Sequence, residues 1–310
     1  MFGLSPADGI AEGIAGARLV LNCAGPFSAT AVPLMEACLA ARSHYLDITG
    51  EIGVIEAAAE RHERARSAGV AIIPAVGFDV VPTDCLAAHL AERLPGASHL
   101  AIAFHATGGL SPGTAKTSLE ALGGGGRARI DGRITRVPIA WKSLEVPFAK
   151  RTRWAMTIPW GDVASAYHST GIPNIETYLA LPKARIQQAR RLRVLAPLLR
   201  FGPLLRLAQG LVQRRVKGPA PEVREASRAS FWGRVSHDSG ETAEATLETP
   251  GGYQITLLTA LAAVDRVLAG SGAALHGQDA LATVGFATPS MAFGKEFILE
   301  FPGTALAWRT

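Results

Sequence analysis

Among the residues that could carry chemistry are two carboxylates in the run GFDVVPTD, Asp79 and Asp84. Asp79 follows Gly77 and Phe78 beyond the apolar stretch from Val70 to Pro74, where a carboxylate could orient a bound group. Asp84 reads equally as a cap for a helix beginning near Cys85. Other proton donors are Tyr45, His44 and His105, all within or at the ends of strand-like runs where packing is the commoner role. No catalytic acid is therefore assigned, and Asp79 and Tyr45 remain the candidates. Cys23 is either a reactive thiol or, more often at such a position, a small apolar residue closing a strand. Cys38 and Cys85 lie on apolar helical faces and belong to a core. Three cysteines without close spacing form neither a zinc nor a redox motif.

These groups need elements to hold them together, and the first third of the chain has a repeated grammar. Leu19 to Leu21 form a short apolar run that stops at NCAGPF, Asn22 to Phe27. Gly25 allows close backbone approach and Pro26 stiffens the turn before a helix from about Ala31 to Arg42. His44 to Ile48 then stops at Thr49, Gly50 and Glu51, and a helix over Ile52 to Ala68 leads to Val70 to Pro74. Three strand–turn–helix units in succession predict parallel winding. Right-handed crossovers place all three turns on one sheet edge, where ligands gather.

The blocks NCAGPF, YLDITGE at Tyr45 to Glu51, GFDVVPTD at Gly77 to Asp84 and GFATPSMAFGKEFILEF at Gly285 to Phe301 together resemble the saccharopine dehydrogenase-like oxidoreductases, a family that includes trans-acting enoyl reductases of lipid synthesis. The resemblance implies an α/β fold: a truncated Rossmann-type parallel sheet followed by an α+β domain with a mainly antiparallel sheet. It implies NADP as cofactor and hydride transfer as the chemistry. Asn22, Gly25, Pro26, Phe27, Thr49, Gly50, Glu51, Gly77, Phe78 and Asp79 are its cofactor-binding candidates. Relatives begin with a G-x-x-G-x-x-G turn that holds the dinucleotide pyrophosphate. This sequence has no such turn, and Gly123 to Gly126 reads as a loop, so cofactor binding is expected to be weak. The alternative is a cofactor-deficient chain acting as a lipid-surface or interaction protein.

The remaining 200 or so residues are expected to form the second domain, at about 98–280, against 1–97 for the partial dinucleotide-binding domain, which residues 280–310 would complete. Strands are expected at Leu100–Ala106, Ile130–Val137, Trp154–Trp160, Ile175–Leu181, Ser227–Ser236 and Ala243–Thr249, with Phe297–Phe301 returning as another. Helices are expected near Thr114–Leu122, Ala184–Gln213 and Tyr253–Leu268. Gly113 and Thr114, before one of these helices, form a candidate substrate or anion site, Thr114 as a plain N-cap being the competing account.

Charge is unevenly placed. Ten of the 31 Lys and Arg lie between Lys183 and Lys217, where there is no Asp or Glu, so the rest of the chain is acidic. Leucines interleave with these cations and Pro197 and Pro203 divide the segment. A helix packed on the protein with its arginines in water is one reading; peripheral membrane contact through 183–217, or a cap on an apolar substrate, is the other. Aromatic interleaving is absent, which argues against nucleic acid. With no apolar run of about 20 residues and no secretory signal, a soluble cytoplasmic protein is expected. Its partners would be a small apolar molecule and a second copy as a homodimer.

Overall fold

The computed structural model describes residues 9–107, 125–193, 220–272 and 284–309. Gly113, Thr114, the helix expected at Thr114–Leu122 and most of the basic segment, residues 194–217, lie outside them.

Short apolar runs separated by polar-glycine turns produce the parallel unit expected. After a short helix α1 (Ile10–Gly13) come β1 (Leu19–Asn22), α2 (Phe27–Ala41), β2 (His44–Asp47), α3 (Ile52–Ala59), α4 (His62–Ala68) and β3 (Ala71–Ile73). β1 pairs parallel with β2, and β2 with β3. The helix expected over Ile52–Ala68 is two helices, α3 ending at Glu60 and α4 starting after Arg61. α2 ends at Arg42 in the left-handed region, and its buried face, Ala31, Leu34, Met35 and Cys38, packs with Tyr45, Ile55 and Ile72.

α5 (Val81–Arg93) carries the chain into a second, larger sheet. Its strands are β4 (His99–Ala106), β5 (Gly126–Ile130), β6 (Arg133–Val137), β7 (Ser143–Pro147), β8 (Thr152–Thr157), β9 (Asn174–Ala180), β10 (Arg228–Ser236) and β11 (Thr242–Pro250). Pairing is mostly antiparallel, with β4 and β9 parallel. The single strand expected at Ile130–Val137 is a hairpin instead. Asp131 and Gly132 both take positive φ, 48° and 77°, which turns the chain back on itself. The helices here are α6 (Asp162–Thr170), α7 (Lys183–Leu192), α8 (Pro221–Ala226) and α9 (Gly252–Gly272), of which α6 and α8 were not expected from sequence.

The C-terminal stretch divides between the sheets. β12 (Gly285–Phe286) adds parallel to β3, giving the order β1-β2-β3-β12. α10 (Pro289–Phe293) follows, and then Lys295–Glu300 forms a 3-10 helix where a strand was expected at Phe297–Phe301. Phe297 and Ile298 are buried in the core that α5 shares with both sheets, so an apolar run that alternation alone reads as a strand is a short helical plug. The returning strand is β13 (Ala305–Arg309), which pairs with β11.

One buried cation ties the two units together. Arg129 on β5 donates to Val163 O, Gly132 O and Glu56 Oε1 on α3, and its guanidinium lies 4.0 Å from the centroid of the Tyr167 ring. Glu56 is held below the usual carboxylate range, first by hydrogen bonding to His168 and also by Arg129.

Candidate functional site

The carboxyl ends of β1, β2 and β3 meet over one buried carboxylate. Asp47, at the end of β2, is fully buried. Its Oδ1 accepts from Thr49 N (3.0 Å) and Ala75 N (2.7 Å), and its Oδ2 from the Tyr45 hydroxyl (2.8 Å). Tyr45 in turn receives the Asn22 side-chain amide (3.2 Å), which also donates to Thr30 Oγ1, while Asn22 Oδ1 accepts Ala24 N. Burial pushes Asp47 up to about 6, against these three donors. Two candidates, Tyr45 and Asn22, thus form the floor of the site with their polar atoms already committed.

Above this floor sit the turns. Gly25 joins Pro26 through a cis peptide bond, and beyond it the first amides of α2, Phe27 N and Ser28 N, donate to the two oxygens of Glu51 (2.9 and 2.8 Å). A carboxylate therefore already occupies the positive end of α2. Thr49 is buried and its hydroxyl accepts Glu51 N. Gly50 shows its purpose by contact: a Cβ there would meet Asp79 Oδ2 at 2.9 Å and Asp79 Cβ at 3.0 Å, so only glycine leaves room for that carboxyl. Asp79 is half-buried, and loss of hydration pushes its carboxyl up to about 7. NCAGPF, DITGE and GFD are therefore together at one sheet edge.

Residues from later in the chain close the site. The Trp160 indole donates to Asp79 O (2.8 Å), and Gly161 approaches so closely that a Cβ would lie 3.2 Å from Gly50 O. Phe78 and Trp160 form a partly exposed aromatic wall backed by the buried core rings Phe104 and Phe231, with Phe78 5.6 Å from Phe231 and Phe104 5.3 Å from Trp160 between ring centroids. From α9, Thr256 Oγ1 accepts Phe78 N and Thr259 donates to Val76 O. Behind Asp79 are two further buried carboxylates, Asp162 and Asp84. Burial pushes Asp162 up to about 8, with Asp84 and Asp79 adding repulsion. Asp84 lies inside the first turn of α5 rather than before it, and its Oδ2 accepts Ser290 N at the start of α10 (2.7 Å).

Sequence reasoning missed Asp47, Trp160, Asp162, Thr256 and Thr259. Asp47 lay inside a recognised block and could have been singled out as an acid at a strand end. The threonines of α9 carry no local signal, since only packing brings them to Gly77. His44 accepts Ala71 N between strands, and His105 sits on β4 beside Phe148, each held below the usual histidine range mainly by burial. Cys23 is exposed at the mouth, its thiol raised by burial and by Asp47, whereas Cys38 and Cys85 are core.

Residues 5–73 match the family described as the saccharopine dehydrogenase NADP binding domain. The chain is 42% identical over 69 residues to a saccharopine dehydrogenase-like oxidoreductase of Mus musculus, covering 22% of this chain and 16% of that one. It is 35% identical over 78 residues to a trans-acting enoyl reductase of Mycobacterium ulcerans, covering 25% and 19%. The sequence matches thus span less than a third of the length of these curated relatives. The fold extends further: the apo, histidine-tagged saccharopine dehydrogenase (L-Glu forming) of Saccharomyces cerevisiae superposes with a TM-score of 0.60 over 99% of this chain and 88% of that chain, at 10% identity.

Proposed function

We propose that this saccharopine dehydrogenase-like chain serves NADP(H)-linked hydride transfer to an apolar substrate, with Asp79 as the proton-handling group. The observation that carries the reading is the position of Asp79: a carboxyl at the edge of a parallel sheet, packed against Gly50, beside three glycine turns and an aromatic wall, where loss of hydration raises it. NADP comes from the matched domain; the apolar substrate comes from Phe78 and Trp160.

The residues present fit one end of the cofactor. Exposed Gly25 offers backbone and Phe78 a ring to a flat group, Gly50 and Gly77 being filled by Asp79 and by Thr256 and Ile48, whereas the amides that begin α2 are taken by Glu51 and the described residues contain no G-x-x-G-x-x-G turn. When bound, the nicotinamide supplies or receives the hydride. The chain's own contribution is to hold a proton at the Asp79 carboxyl, fix the Asp79 main chain through Trp160, and exclude water with the aromatic wall.

Titration with NADPH and with reduced nicotinamide mononucleotide, followed by quenching of Trp160 fluorescence with Trp160→Phe as control, tests this. Both should bind weakly, within a few-fold of each other, because the site holds the nicotinamide end alone. Asp79→Asn should keep that binding while removing the step near pH 7 from its pH profile. Binding of neither ligand would overturn the proposal. NADPH binding orders of magnitude more tightly than the mononucleotide would overturn the assignment of only one cofactor end to this chain.

A further inference from the structure

α9 has two apolar faces, and only one is covered. Ile255, Thr259, Ala263 and Val267 are buried against the body of the protein. On the other side, Tyr253, Leu257 and Leu261 are 40%, 60% and 52% exposed. They recur every four residues, so they stand one above another as a ridge on the helix surface. A helix apolar on both faces normally has both covered.

The next position on the ridge is Asp265, exposed and without an ion pair among the described residues. At the opposite end, the Arg224 guanidinium of α8 lies 4.9 Å from the centroid of the Tyr253 ring. The ridge is thus cationic and aromatic at one end, apolar in the middle and anionic at the other. Its midpoint, between Leu257 and Leu261, is also the midpoint between Tyr253 and Asp265. The pattern is self-complementary under a two-fold axis: turned through 180°, Leu257 meets Leu261 and Asp265 meets Tyr253 and Arg224.

We infer that this face of α9 binds a second copy of the chain, α9 packing antiparallel on its counterpart with Asp265 set against the Tyr253–Arg224 pair. Two ridges of i, i+4 spacing interdigitate at a crossing of about −50°, the commonest helix packing. The contacting stretch from Tyr253 to Asp265 is about 18 Å long at 1.5 Å per residue. A two-fold contact uses the same patch twice, which is why one ridge must carry both charges. This inference is independent of the proposed activity.

Sedimentation velocity on the full chain from about 1 to about 100 μM tests it. A monomer–dimer equilibrium is expected, and Leu257→Glu or Leu261→Glu should shift it to monomer at every concentration. Arg224→Asp alone and Asp265→Arg alone should each weaken the dimer, and the combined charge swap should restore it, an outcome that general misfolding would not give. Circular dichroism confirms that each variant is folded. A wild-type monomer throughout the range, a dimer indifferent to both leucine substitutions, or a swap no better than its single components would overturn the inference. So would a monomer that sediments with phosphatidylcholine vesicles through Leu257 and Leu261, which would make the ridge a membrane contact.

Discussion

Two buried polar clusters lie side by side beneath the candidate site, and they are built on opposite terms. Under the turns, Asp47, Tyr45, Asn22 and Thr30 form a closed network in which the Asp47 carboxylate receives three donors. Between α5, α6 and α10, by contrast, both oxygens of Asp162, Oδ1 of Asp84 and the Ser165 hydroxyl are buried without a hydrogen-bond partner. The neighbouring Thr83 hydroxyl directs its proton to Val80 O. Asp47 and Asp162 are both wholly buried, yet one is raised to about 6 and the other to about 8. Donors account for the contrast: two amides and a phenol aimed at Asp47 stabilise its anion, while Asp162 has little beyond the nearby Thr83 hydroxyl to set against burial and the repulsion of Asp84 and Asp79. The first cluster locks three strand ends in register; the second keeps protons behind Asp79.

The largest effect should come from opening the closed network. Asp47→Ala leaves Thr49 N, Ala75 N and the Tyr45 hydroxyl without their acceptor in a dry interior, and should cost about 3–5 kcal/mol, the usual consequence of deleting one member of a buried charged network. Asp47→Asn keeps one acceptor oxygen and should cost less. Urea unfolding of the two variants decides the matter. A loss below about 1 kcal/mol for the alanine variant would mean that water replaces the carboxylate and that the network does not organise the turns.

The second cluster should respond in the opposite direction. Folded Asp162 keeps its proton until about pH 8, whereas an unfolded aspartate releases it near 3.8. Between those values the folded state binds more protons, so stability falls as pH rises from about 4 to about 8. Asp79 and Asp47, also raised, add to the same slope up to about 7 and about 6. Asp162→Asn cannot ionise; at pH 8 it should be more stable than the wild type by roughly 1–3 kcal/mol, with a flatter profile. Thermal melts across pH 5–9 measure both quantities, and an unchanged slope would show that Asp162 is hydrated and ordinary.

What the sequence disclosed follows the same divide. The closed network is assembled from residues within one stretch of chain, from Asn22 to Ala75, and each strand end was visible as an apolar run stopping at a glycine. The second cluster was not legible, because Asp162 and Ser165 lie on a helix of plain composition, far along the chain from Asp84, and only the packing of α6 on α5 brings them to it. The Asp131–Gly132 turn was missed for want of weight on a tight Asp-Gly pair. Phe297–Phe301 was misread as a strand because an apolar run shows burial without showing period. In the basic segment, the described part packs on the body: Arg190 donates to Ala140 O and Ser143 Oγ, and the Lys183 ammonium lies 4.4 Å from the centroid of the Trp154 ring. No helix of the described residues is long and apolar enough to cross a membrane.

A smaller test asks whether the two clusters are joined through Trp160. Its indole bonds Asp79 O, and α6, which carries Asp162, begins two residues later. Trp160→Phe keeps the ring in the wall and removes one hydrogen bond, so it should cost about 1 kcal/mol. If Trp160 positions Asp79, the titration of Asp79 followed by carboxyl NMR should move as well. A stability loss with an unmoved titration would make Trp160 packing alone.

The smallest effect is expected at Cys23, which reports on the floor from outside it. Its thiol is raised first by burial and second by the Asp47 charge, so thiolate is scarce at neutral pH and iodoacetamide should react more slowly than with the unfolded chain. Asp47→Asn removes only the lesser cause, and alkylation should quicken by less than about tenfold, the equivalent of one pKa unit. Cys38 and Cys85 are buried and should not compete in the folded protein. If Cys23 instead reacts faster than the unfolded thiol, the site activates it. The cysteine would then be a working nucleophile at the mouth, and the closed network below would be tuning chemistry rather than holding turns.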